Sequence, residues 1–180
     1  MTAITVLAAL ARYHRSMERA IQQSCFDCIL RPDRLFCDLP AQALEAFDSI
    51  KSLAVYPRGT TLFEEGRSAR GIFVLCEGRA KLSVCSENGK RLTLRIAGPG
   101  EVLGLSASLS GGPYEVTAET LDNAKVAVVR RKELLKFLRT HREACLQVVH
   151  LLSQDLHTAY DRVRSIGLVR TRRPRASRIH

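Results

Sequence analysis

A chain of 180 residues has room for one ordinary domain with attachments. With 46% hydrophobic and 26% charged residues its composition is globular, which excludes a disordered polypeptide, since that would carry fewer apolar side chains. Lys and Arg outnumber Asp and Glu by 28 to 18, a net +10 that favours polyanionic partners, nucleic acid above all.

Residues 1–24 begin with an apolar run at 4–11. No Lys or Arg precedes it, and Arg12 and Arg15 follow at once, the reverse of a signal peptide, so an amphipathic helix is predicted. No apolar run reaches the roughly 18 to 20 residues of a membrane span, and a cytoplasmic protein without a membrane partner is expected. Residues 25–37 hold three of the six cysteines: Cys25, Cys28 and Cys37. Without a secretion signal these are expected as reduced thiols and not as a disulfide framework. A Cys-x2-Cys pair brings two thiolates to one metal or cluster. Zinc, redox-active thiols and plain packing are the other readings, although the nearest histidine, His14, lacks finger spacing. Arg31 and Arg34 are expected to lower the thiol pKa values.

The segment 38–131 reads as an all-β unit behind one short helix. Pro40 suits the first turn of a helix over 41–50, whose Leu44, Phe47 and Ile50 form one apolar stripe. From Leu53 to Arg130 come short β-branched and apolar runs that end in glycine, among them GIFVLCEG, KLSVCSENG and LTLRIAGPG. Such runs predict antiparallel strands with tight turns, and Asn88-Gly89 is the strongest hairpin signal. Turns recurring about every ten residues predict a jelly-roll, hence an α+β protein with N-terminal helices and a long C-terminal helix.

Over 132–166 the period becomes helical. Val149, Leu152, Leu156, Ala159, Val163 and Ile166 recur at alternating steps of three and four, a heptad seam that wants a partner helix. The same helix of a second copy is the expected partner, giving a homodimer. Residues 167–180 form a basic tail, expected to be disordered, with Arg170, Arg172, Arg173, Arg175 and Arg178 and no acid.

Four separated glycine-bearing blocks then carry a resemblance. They are Tyr56-Pro57-x-Gly59-x-x-Leu62-Phe63-x-x-Gly66, Ile72-Phe73-Val74-Leu75-x-Glu77-Gly78-x-x-Lys81-Leu82, Asn88-Gly89, and Gly98-Pro99-Gly100-Glu101 with Gly104. In this order they resemble the Crp–Fnr regulators, with their cyclic-nucleotide-binding-type β-roll, or double-stranded β-helix, and dimerisation helix. Gly59, Gly66, Gly78 and Gly98 are expected where strands turn sharply or take a positive φ.

The resemblance implies an effector pocket at Gly100, Glu101 and Gly104. In nucleotide-binding members the glutamate holds a ribose hydroxyl and a following arginine pairs with the cyclic phosphate, a task suited to its fork and permanent charge. Here no Arg or Lys lies between Glu101 and Lys125, and Glu115 adds a negative charge. Burying a phosphate without a cation is costly, so the pocket reads as vestigial and no cyclic nucleotide is expected.

The oxygen-sensing branch of the family carries iron–sulfur ligands where this chain has Cys25, Cys28 and Cys37, which implies an iron–sulfur cofactor with its fourth ligand unidentified. That branch places the fourth ligand near the last strand, where this chain reads Ala127-Val128-Val129. Cys76 and Cys85, on middle strands, read as ordinary buried thiols. Family members continue into a DNA-reading helix-turn-helix. The sequence GLVRTRRPRASRIH, broken by Pro174, does not supply one, so that domain is expected to be missing and the arginines to make only non-specific phosphate contacts.

The function expected is the sensor and dimerisation part of a Crp–Fnr-type transcription regulator. The alternative is a free-standing small-ligand or redox-sensing module acting through protein contacts or heterodimerisation. No enzyme is expected: the histidines (His14, His141, His150, His157, His180) are scattered, and no nucleophile is paired with an oriented base.

Overall fold

The computed structural model describes residues 24–28, 35–86 and 88–169. The expected first helix and the arginine tail lie outside these residues. The described chain begins with a 3-10 turn, Cys25–Asp27, capped by the Ser24 hydroxyl, which accepts from the Phe26 N–H at 3.2 Å. Helix α1, Ala41–Ile50, starts directly after Pro40 and buries Ala43, Leu44 and Phe47, with Ile50 half-buried beside them.

Two four-stranded antiparallel sheets follow. The first holds β1 (Lys51–Tyr56), β8 (Ala124–Arg130), β3 (Gly71–Glu77) and β6 (Val102–Leu103), in that spatial order. The second holds β2 (Thr61–Phe63), β7 (Thr117–Thr120), β4 (Ala80–Cys85) and β5 (Arg91–Ala97). The chain passes from β3 in one sheet to β4 in the other through Gly78. Its φ of +80° is left-handed, and a Cβ there would stand 2.7 Å from the Asn123 carbonyl oxygen. Only glycine fits this corner without strain. Gly59 and Gly66 also have positive φ; Gly98 does not, and Gly100 takes that role instead.

The period of two sorts the side chains of the first sheet. Leu75, Ala124 and Val126 point between the sheets, where they meet Phe63, Leu82, Leu103 and Tyr114. Ile72, Val74, Ala127 and Val129 point the other way, onto a layer of helices. With both faces covered, β3 and β8 read in the sequence as continuous apolar runs, not as alternation. The helical layer is fastened by aromatic packing: Phe36 stacks on Phe47 at 4.7 Å, and Phe137 meets Phe47 edge-on at 5.6 Å.

Three short elements fall outside the sequence-based expectations, the two-residue β6 among them. Strand β7, reading TAET, lacks an apolar alternation, and α2 (Leu105–Ser110) sits between the two left-handed glycines Gly104 and Gly111. The single helix expected over 132–166 is divided. Helix α3 spans Arg131–Thr140, His141 takes an extended conformation (φ −115°, ψ 96°), and α4 spans Arg142–Val169. The break lets Leu134 and Phe137 of α3 and Ala144 and Val148 of α4 converge on the same cluster around Phe36 and Phe47. Among the described residues no helix is long and apolar enough to cross a membrane.

Candidate functional site

The expected effector residues, Gly100, Glu101 and Gly104, sit between β5 and α2. Gly100 and Glu101 form the turn that braces β3: the Gly100 N–H donates to the Leu75 carbonyl at 2.6 Å, and the Leu75 N–H donates to the Glu101 carbonyl at 3.0 Å. The Glu101 carboxylate accepts from the Gly98 N–H at 2.8 Å and from the Arg95 guanidinium, with which it forms an ion pair. Gly104, at φ +73°, caps α2, and a Cβ there would meet the Tyr114 ring at 2.7 Å. In this structure Gly100 and Glu101 form a turn and Gly104 a helix cap.

Tyr114 completes the closure. Its hydroxyl donates to the Gly71 carbonyl at 2.8 Å and accepts from the Arg70 N–H at 3.1 Å, while its ring stacks on Phe63 at 4.2 Å. A buried tyrosine satisfied in this way is a structural strut.

The cysteines lie on the opposite face of the first sheet. A cavity of about 360 Å³ opens there, lined by Cys25, Cys28, Cys37 and Cys76. Its floor is built from outward-facing strand residues: Lys51 and Leu53 of β1, Val74 and Cys76 of β3, Lys125 and Ala127 of β8. Cys76 follows Ile72 and Val74 at a spacing of two, which puts its thiol on the helical side of the sheet. Cys25 arrives from the 3-10 turn and is fixed by α1: its N–H donates to Asp48 Oδ1 at 2.8 Å. Lys51 then donates from Nζ to Cys25 Sγ at 3.0 Å and pairs with Asp48 at 2.5 Å. Lys125, also largely buried, pairs with Glu77 at 3.6 Å.

The electrostatics run opposite to the expectation that nearby arginines lower the thiol pKa values. Burial is the main cause of a rise of Cys25 to about 11, opposed by the Lys51 hydrogen bond. Burial also pushes Cys37 up to about 12, and Cys28, Cys25 and Cys76 add to the rise, since each thiolate would repel the next. Cys76 moves upward for the same first reason. Burial works against the Lys51 charge too, but Asp48 and Cys25 outweigh it and hold the ammonium above its usual range. Arg31 and Arg34 lie outside the described residues. Cys85 and Cys145 are exposed and stand apart from this group.

The donor set suits a soft metal centre, because thiolates select zinc, cuprous copper and iron–sulfur clusters. Among the described residues no three ligand side chains converge on a point that would hold one metal ion. Tetrahedral zinc with four thiolates needs its sulfurs about 3.8 Å apart, given a Zn–S bond of about 2.3 Å. Four thiolates are also the usual complement of a 4Fe–4S cluster.

Helix α4 carries two apolar stripes. Ala144 and Val148 are buried against the roll's helical layer, with Leu152 half-buried beside them. Val149, Leu156 and Val163 are 59%, 54% and 68% exposed, and Ala159 is exposed as well. The Ile166 side chain lies outside the described residues, as do Arg170, Arg172, Arg173, Arg175 and Arg178.

Comparison with known proteins identifies the class. Residues 53–141 match the cyclic nucleotide-binding domain family. The "CRP-like cAMP-activated global transcriptional regulator" of Mycobacterium tuberculosis is 24% identical over 130 residues, covering 72% of this chain and 58% of the relative. In fold, the chain is similar to the Thermus thermophilus catabolite activator protein (TM-score 0.68, 22% identity, 74% of this chain and 62% of that one). It is also similar to the N-terminal domain of a transcriptional regulator from Streptomyces coelicolor (TM-score 0.60, 27% identity, 75% of this chain and 94% of that one). Residues 53–141 thus carry a cyclic nucleotide-binding-type roll, and the chain is similar to transcription regulators of the Crp–Fnr type. It spans under two thirds of the length of the curated regulators it matches.

Proposed function

We propose that this chain is the signal-receiving and dimerising part of a Crp–Fnr-type transcription regulator. The observation that carries the reading is α4, which buries one apolar stripe on its own roll and leaves Val149, Leu156 and Val163 exposed along a second. A second copy of α4 covers that seam in a homodimer, and burying each large side chain contributes about 1.5–3 kcal/mol. In light scattering the protein runs as a dimer, and Leu156→Asp, which sets a carboxylate into the seam, weakens association at least about a hundredfold. A monomeric parent protein, or a variant that dimerises as well as the parent, overturns the reading.

The effector is not a cyclic nucleotide. Glu101 is held by Arg95 and the Gly98 amide, and no basic residue follows it before Lys125 to receive a phosphate. The input is instead an iron–sulfur cluster held at the cysteine cavity, which responds to oxidants; four thiols on one cavity and the ammonium beside Cys25 support this. The arginine tail grips phosphates without reading bases, so DNA binding by this chain alone falls steeply with salt and does not discriminate between sequences. The exposed seam also favours a second reading, a free-standing module whose α4 pairs with that of a full-length relative; it predicts mixed dimers on co-expression.

A further inference from the structure

Of the four thiols on the cavity, Cys76 is the one the sequence did not single out. It is brought there by strand geometry alone. The run Ile72, Val74, Cys76 lies on one face of β3, and the first two sit in the helical layer's core. The third reaches the end of that core, where the 3-10 turn and the Phe36–Cys37 segment approach the sheet.

We propose that Cys76 is the fourth thiolate ligand of a 4Fe–4S cluster whose other ligands are Cys25, Cys28 and Cys37. The proposal rests on the cluster reading of the cavity and adds the residue that completes it.

Two observations carry it. Cys76 lines the same cavity as the three N-terminal-side cysteines, whereas the other two thiols of the chain, Cys85 and Cys145, are exposed and do not. The cavity, at about 360 Å³, is far larger than the space one buried water needs. Transfer of a preformed, thiolate-ligated cluster breaks four S–H bonds of the protein and four Fe–S bonds to the departing thiolates, which take up the four protons as four new Fe–S bonds form, with no change of oxidation state. The Lys51 ammonium at 3.0 Å from Cys25 Sγ favours the thiolate that this exchange requires.

The test uses the full chain, reconstituted anaerobically with equal ferrous and ferric iron and with sulfide, then assayed for metal, acid-labile sulfide and thiol accessibility. The wild type is expected to take up about four irons and four sulfides per chain, and Cys76→Ala fewer than about one, while Cys85→Ala loads like the wild type. Because Cys76→Ala could lose its fold, iodoacetamide labelling of the wild type is read by mass spectrometry in parallel. Cys76 is expected to label at least about tenfold more slowly in loaded than in stripped protein, with Cys85 and Cys145 unchanged. If the wild type loads and Cys76 labels equally in both states, or if folded Cys76→Ala loads fully, Cys76 is not a ligand and the cluster reading survives without it. If the wild type takes up no iron and sulfide, or binds one zinc per chain instead, the cluster reading falls and this inference with it.

Discussion

Two regions meet at adjacent residues of β3 and are built in opposite ways. Leu75 points between the sheets and, through its backbone, holds the Gly98–Glu101 turn, while Cys76 faces the cysteine cavity. On the Leu75 side every polar group named has a partner. Glu101 is held by Arg95 and the Gly98 amide, and Tyr114 by Gly71 and Arg70. On the Cys76 side a cavity is lined by Cys25, Cys28, Cys37 and Cys76, and burial pushes the thiol pKa values of Cys25, Cys37 and Cys76 upward. The Leu75 side also opens a cavity, of about 470 Å³ beside Phe63, Phe73 and Tyr114, but no cysteine lines it.

The contrast is broken most severely at Tyr114. If the Leu75 side is structural, Tyr114→Ala loses a stacked, buried ring and costs about 3–5 kcal/mol, read as a lower urea midpoint at unchanged slope. A near-neutral result would mean that the ring fills a pocket the protein can do without. A smaller effect sharpens the same point: Glu101→Gln weakens a half-buried ion pair and keeps the turn hydrogen bond, so a loss of no more than about 1 kcal/mol is expected. A loss of several kcal/mol would show that the glutamate carries more of the fold than its partial exposure implies.

Much of the fold was legible because its turns are written in glycine. The runs ending at Gly59, Gly66 and Gly78 became strands or strand-to-strand corners, and the 41–50 stripe became α1. The β7 strand escaped because TAET shows no alternation, and the helix break escaped because the apolar pattern runs unbroken through His141. The cysteine site was half legible. Local spacing shows Cys25 and Cys28 and suggests Cys37, but Cys76 belongs to them only once β3 is laid across the cavity. The period of two from Ile72 and Val74 was the available signal. The direction of the thiol pKa shifts escaped for a related reason: sequence displays the neighbouring arginines, whereas burial, the dominant cause here, belongs to the folded chain.

The central claim is that the roll receives its signal at the cysteines and not as a cyclic nucleotide, and thermal unfolding under nitrogen tests it directly. A ligand that binds only the folded state at about a hundred times its Kd adds about 2.7 kcal/mol of stability. Reconstitution with iron and sulfide is expected to raise the melting temperature by several degrees, and millimolar cyclic AMP or cyclic GMP to leave it unchanged. A melting temperature that rises with either nucleotide and not with iron and sulfide would contradict the account.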